Sequence, residues 1–187
     1  MIFDRIKREP QYFLPNKKDK QQLSKTLALE INHRKRKTDA LIFLCIGTDK
    51  ITGDCLGPLT GTKLKEKGYP YPVLGTLRHP VHAVNLSSTL TILQQKYTHP
   101  YLIVIDAAVG PADKIGCVSL SRSPICPGKG IKRPLPPVGN LSLTGIISEA
   151  SDNCADDLPY TRLFLVNTLA EFICSAVIGS EKMYFID

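Results

Sequence analysis

The chain has 187 residues, 43% of them hydrophobic and 22% charged, which is ordinary globular composition and enough length for one domain with a substantial core. Its start, MIFDRIKREP, lacks the basic-then-apolar order of a secretory signal, and no stretch approaches the roughly 20 apolar residues that span a bilayer, so the sequence reads as cytosolic. The formal net charge of +7 sits wholly in residues 1–37, with 11 Lys+Arg against 4 Asp+Glu, while residues 38–187 carry 13 of each.

Residues 1–37 therefore read as a basic N-terminal arm with a helix, ahead of a single domain over 38–187. A basic arm can bind nucleic acid or an anionic surface, and a solubilising tail accounts for the charge equally. No interleaved aromatics or DNA-binding motif accompany it, so nucleic acid is not the expected partner.

Residues 1–19, with Pro10 and Pro15, read as irregular. From Gln21 the spacing of Leu23, Leu27 and Ile31 predicts a helix ending near the basic run His33–Lys37, where cations complement the helix dipole. The apolar run Ala40–Ile46 predicts the first strand and stops at Gly47. A polar loop bearing Asp49 and Asp54 leads to a helix over Gly57–Lys67, with Leu59 and Leu64 inward and Gly68 as its cap. Residues 72–77 are a weak strand, because Gly75 interrupts them.

Residues His82–Tyr97 predict a second helix starting near Pro80-Val81, with Val84, Leu86, Leu90, Ile92 and Leu93 apolar. Tyr101–Ile105 is the clearest strand, of the kind buried on both faces, and it terminates in Asp106-Ala107-Ala108. Ile115–Leu120 predicts another strand. The Pro/Gly/Lys-rich segment Ser121–Asn140 is too long for an ordinary connection and reads as a mobile or binding loop. Leu141, Leu143 and Ile146-Ile147 give a last strand. Asp156 and Asp157 precede an apolar helix over Leu163–Ile178, which Gly179 stops. Strands alternating with helices predict an α/β fold: a mostly parallel sheet with helices on both faces.

The six cysteines show no C-x-x-C spacing, so a zinc ribbon is not suggested. Cys45 and Cys174 lie in apolar runs and read as buried. Cys55 adjoins Asp54, but no neighbouring base would activate it as a nucleophile.

In a parallel α/β domain the ligand crevice lies beyond the C-terminal strand ends, where Asp54 and Asp106 both fall. Two carboxylates a few ångströms apart cannot both ionise at neutral pH, so one stays protonated as an acid while the other acts as a base on water. Asp54 also suits a helix N-cap, and the two roles are compatible. With an imidazole the pair would make a mixed N/O site for a divalent transition metal; His82 is the best placed of the four histidines, with His79 close by. Asp49 could shape the loop through backbone hydrogen bonds. The glycines fit neither phosphate-binding fingerprint, and Gly128-Lys129-Gly130 is too short to be one.

The stretches GTDKITGDCLGPLTG, VIDAAVG and VGNLSLTGIIS together resemble the YyaC-type spore proteins of endospore-forming bacteria, over roughly residues 40–178. The pattern is more remotely similar to germination protease and to the hydrogenase maturation endopeptidases. The resemblance implies a three-layer αβα sandwich with catalytic or metal-binding acids at Asp54, in D-C-L-G-P, and Asp106, in V-I-D-A. It also implies a forespore or spore-interior setting and a protein or peptide substrate such as the small acid-soluble spore proteins. Two departures stand out: all four histidines precede Asp106, where the maturation enzymes carry a metal-binding His after it, and the first loop reads G-T-D in place of G-x-G-N. The expected function is therefore a peptidase in which Asp54 and Asp106 activate water, or else a non-catalytic peptide- or metal-binding protein on the same scaffold. An exposed apolar sheet edge or helix could support a homodimer.

Overall fold

The computed structural model describes residues 9–127, 136–150 and 158–184. Six strands form one sheet: β1 Gln11–Phe13, β2 Ala40–Cys45, β3 Val73–Leu74, β4 Pro100–Gly110, β5 Val118–Ser121 and β6 Leu141–Glu149, in the order β1-β5-β6-β4-β2-β3. The three pairings among β3, β2, β4 and β6 are parallel, and the β5–β6 and β1–β5 pairings are antiparallel.

Among the described residues four helices cover the two faces: α1 Lys17–Arg34, α2 Leu56–Glu66, α3 Leu86–Lys96 and α4 Leu163–Glu181. On one face Leu27 of α1, Leu64 of α2 and Ile173 of α4 pack with Phe43, Ile103 and Leu143. On the other, Leu86 and Leu93 of α3 cover Ile42, Leu44 and Val104. Because successive strand residues point to opposite faces, β2 and the first half of β4 must be apolar at every position. The expected three-layer αβα arrangement is the one observed.

The first turn of α1 explains where the sequence expectation fails. Asn16 Oδ1 accepts from the Asp19 N–H at 2.9 Å, and Asp19 Oδ2 accepts from the Leu14 N–H at 2.7 Å. This reciprocal cap starts the helix at Lys17, four residues before its apolar periodicity is visible. Residues 11–13, expected to be irregular, pair with β5 instead. The segment set apart as an arm thus supplies an edge strand and a core helix, with Leu23, Leu27 and Ile31 fully buried.

Three other boundaries move. α3 begins at Leu86, not near Pro80-Val81, and Val84 and Ile92 are exposed. β4 continues through Asp106 to Gly110, because β6 pairs with it along that length. Gly179 does not stop α4; it lets α1 approach, since a Cβ there would meet Ser24 Oγ at 2.7 Å, and Ser24 Oγ donates to the Ala176 carbonyl at 2.9 Å. Asp156 and Asp157 lie outside the described residues.

The 19-residue α4, with a mean hydropathy of 1.7, is long and apolar enough to cross a membrane by length and composition. That corrects the expectation that no stretch approaches that limit. Here its buried side packs on α1, α2 and the sheet.

One polar contact ties α1 to the strands. Glu30, 7% exposed, receives hydrogen bonds from both Arg122 Nε and Nη2 and lies 3.3 Å from Arg34 Nε. Glu30→Ala removes a buried carboxylate that accepts from a guanidinium outside its own helix and should lower unfolding free energy by about 2–3 kcal/mol in urea titration, against about 0–1 kcal/mol for an exposed pair.

Candidate active site

β2 and β4 run parallel in register from Ala40↔Pro100 to Cys45↔Ile105, so the chain leaving β2 and the Asp106 side chain arrive at the same rim. Gly47 turns the chain with φ +137°, and a Cβ there would lie 1.9 Å from the Asp54 carbonyl oxygen. Thr48 N–H donates to that same carbonyl at 3.1 Å, so the loop folds back over the end of β2. A short 3-10 turn, Gly53–Cys55, then passes directly into α2. Gly57 lets α2 seat on the strand, since its Cβ would meet the Ile46 carbonyl oxygen at 2.0 Å. Backbone contacts thereby fix Asp54.

Neither the 3-10 turn nor α2 has a side-chain cap, so the capping role suggested for Asp54 is not used. Its carboxyl faces a cavity of about 520 Å³, also lined by Asp106, His82, Ser142 and Thr144. Burial raises the Asp54 pKa to about 6, offset in part by a hydrogen bond from the Thr48 backbone. Burial and then the Asp54 charge push Asp106 well above the usual carboxylate range, opposed by the Ala107 N–H, which donates to Oδ1 at 2.8 Å. Burial thus favours the protonated form of both acids, and the Asp54 charge favours it further at Asp106.

His82 lies in the connection before α3 and not on the helix. Its Nδ1 accepts from the Val84 N–H at 3.3 Å, which leaves the proton on Nε2 and makes the ring a donor. Among the described residues no three His, Cys, Asp or Glu side chains gather as a metal-ligand set. The metal suggested for Asp54, Asp106 and His82 therefore lacks a fitting donor set. His79 is exposed and lies outside the cavity. The loop's local side-chain bond comes from Thr48, whose Oγ1 accepts from Lys50 N–H at 3.3 Å, while Asp49 is exposed.

Cys55 and Leu56 turn into the core and leave the cavity open. Burial, followed by the Asp49 and Asp54 charges, raises the Cys55 thiol pKa, opposite to what a nucleophile needs. Cys45 and Cys174 are buried as expected.

Sequence reasoning missed the cavity floor. Register sets Thr144 of β6 beside Asp106 and Ser119 of β5 beside Thr144, with the two hydroxyl oxygens 3.0 Å apart. The period-2 hydroxyls of Leu141-Ser142-Leu143-Thr144 are the signal that was available: apolar residues to the helices, polar ones to the cavity. From the segment read as a binding loop, residues 123–127 form a wall, and Ile125 bridges to Val138. Gly128-Lys129-Gly130 lies outside the described residues.

A family model described as "Protein of unknown function (DUF1256)" matches residues 12–176. A search of curated proteins finds the "Uncharacterized protein YyaC" of Bacillus subtilis (strain 168), 35% identical over 150 residues, covering 80% of this chain and 73% of the relative. Among solved structures, the NiFe hydrogenase maturation protease HycI from Thermococcus kodakarensis KOD1 is similar at a TM-score of 0.44 and 17% identity, over 80% of this chain and 98% of that one. The fold and chemistry described above do not rest on that last likeness. The match across residues 12–176, with the extent of identity to the Bacillus protein, places the chain in the DUF1256 family as a YyaC-type protein.

Proposed function

We propose that this protein is a peptidase in which Asp54 and Asp106 activate a water molecule against a peptide carbonyl. One observation carries the reading: two electrostatically coupled carboxyls, one from β4 and one from the turn that follows its parallel neighbour β2, line one cavity. Asp54, with the more modestly raised pKa, is the partner that is ionised near neutrality and takes a proton from water as it attacks. Asp106, held protonated, donates to the carbonyl oxygen; Asp54 then passes the proton it took from water to the leaving amine as the C–N bond breaks, and Asp106 recovers its own as the carbonyl re-forms. His82, with its proton on Nε2, and the Thr144 hydroxyl are the neutral donors on hand for the developing oxyanion.

A spore setting, in the forespore or spore interior, is part of the proposal, on the motif resemblance given under Sequence analysis, with small acid-soluble spore proteins as the first substrates to offer. Incubation with those proteins and with a peptide library, read by mass spectrometry, tests the reading. New termini should appear without added metal; tight binding with no cleavage would assign the fold to peptide holding instead. The rate should rise with pH through about 6 as Asp54 loses its proton, and fall at higher pH as Asp106 does. A flat profile across that range would remove the shared-proton mechanism.

A further inference from the structure

The outer strand β3 is two residues long, and its ladder geometry turns the main-chain groups of one residue outward while its side chain stays in the core. Phe43 pairs with Val73, and the Phe43 N–H donates to the Pro72 carbonyl at 2.9 Å. In a parallel ladder this turns the N–H and C=O of Val73 itself away from β2, toward the open edge. Two hollows, of about 610 and 580 Å³, flank that edge and meet at Tyr71, Pro72 and Tyr97. Lys65 and Lys96 line the first and Lys35 and Lys37 the second, against the single carboxylate of Asp39. Asp39 is already engaged by the Arg36 N–H at 2.9 Å. Among the described residues Lys65 and Lys96 join no ion pair. α2 and α3 end here, and each C-terminus contributes about half a negative charge, which offsets only part of the lysine charge.

We propose that this edge docks an extended acidic peptide, which adds to β3 as a further strand. Main-chain bonds to Val73 would supply pairing, and Lys65 and Lys96 would select carboxylates on the incoming side chains. The site is separate from the acid-lined cavity: Ala40 and Leu41, at the start of β2, line one hollow, whereas Asp54 lies past the strand's other end, about 20 Å away at the rise of six residues.

Charge complementarity favours this occupant over a second copy of the chain, which would bring lysine against lysine. The rings present do not favour nucleic acid. Tyr71 is packed edge-on to Tyr184 at 5.6 Å, and Lys96 Nζ lies 5.4 Å from the Tyr97 ring centroid, so both rings already have partners other than a base.

Docking here is independent of hydrolysis and would hold if the chain cleaved nothing. The test titrates the full chain against a labelled peptide of about ten alternating Glu and Val residues, followed by fluorescence anisotropy. Binding should weaken with added salt, fall about tenfold or more in Lys65→Glu/Lys96→Glu, and be absent for the Lys/Val counterpart. Val73→Pro removes the outward N–H while sparing the bonds to β2, and should weaken binding severalfold at unchanged thermal melting. Should that variant melt early, slowed hydrogen exchange of the wild-type Val73 amide on peptide addition reads the same contact. No binding by the wild type, or binding indifferent to the lysine pair and without protection of Val73, would overturn the proposal. Oligothymidylate binding more tightly than the acidic peptide would overturn it in favour of nucleic acid.

Discussion

Asp54→Asn and Asp106→Asn are each expected to lower kcat/KM by about 10²–10⁴, the usual range for losing a positioned acid or base. That is about 3–5 kcal/mol of transition-state stabilisation. The double variant should be little worse than either single one, since the pair acts on one proton and one water. Neither carboxyl caps a helix, so folding should survive both changes.

Stability should move the opposite way to activity. The Asp54 pKa is about 6 in the folded chain against an ordinary value of 3.8, so the folded state holds the proton more tightly. The stability this contributes is fully present below the ordinary value and is lost as pH rises through about 6. At about pH 7.5 the wild type therefore carries a buried charge whose cost is on the order of 3 kcal/mol, and Asp54→Asn relieves it. The variant should melt higher than wild type at that pH, with the advantage vanishing below about pH 4. A variant that is both inactive and less stable at neutral pH would point to a structural role for this carboxylate, contrary to the mechanism.

Removing residues 1–37 is expected to abolish cooperative unfolding altogether. Phe13, Leu23, Leu27 and Ile31 are all at most 5% exposed, and burying a side chain of that kind contributes about 1.5–3 kcal/mol. Four of them approach the whole net stability of a typical domain, about 5–15 kcal/mol. The truncation would also bare the side of α4 that holds Ser24 and Leu27, and leave β5 as an unpaired edge. Circular dichroism during a urea titration should show no two-state transition. A sharp transition at a midpoint close to that of the full chain would mean that the segment is a dispensable appendage.

The strand centres, α2 and the two acids were legible because each is written locally: an unbroken apolar run, a glycine-bounded helix, a carboxylate where a buried strand meets the rim. What escaped depends on distant pairings. β1 is only three residues, Gln11-Tyr12-Phe13, and exists because β5 offers it a partner. The second half of β4 is defined by β6, and Thr144 joins the cavity, with Ser119 bonded behind it, only through strand register. The early start of α1 was visible in Asn16-x-x-Asp19, a capping signal outweighed by the absence of apolar residues nearby. His82 was placed on the wrong element yet reaches the predicted cavity, because the bridge Ile46↔Val81 holds the connection against the end of β2.

Asp54 is positioned by the close packing of Gly47 and Gly57 on neighbouring carbonyls, and Asp106 by its place in a ladder; the backbone N–H that each carboxyl accepts, from Thr48 and from Ala107, is one that an Asn Oδ1 accepts as well. An Asp-to-Asn exchange, which a single nucleotide change can make, would thus silence the chemistry and leave the scaffold standing, and the reverse change would restore it. Within one lineage, active and inert forms of this protein would lie one mutation apart, so the identities at these two positions, more than overall similarity, would sort its relatives into cutters and holders.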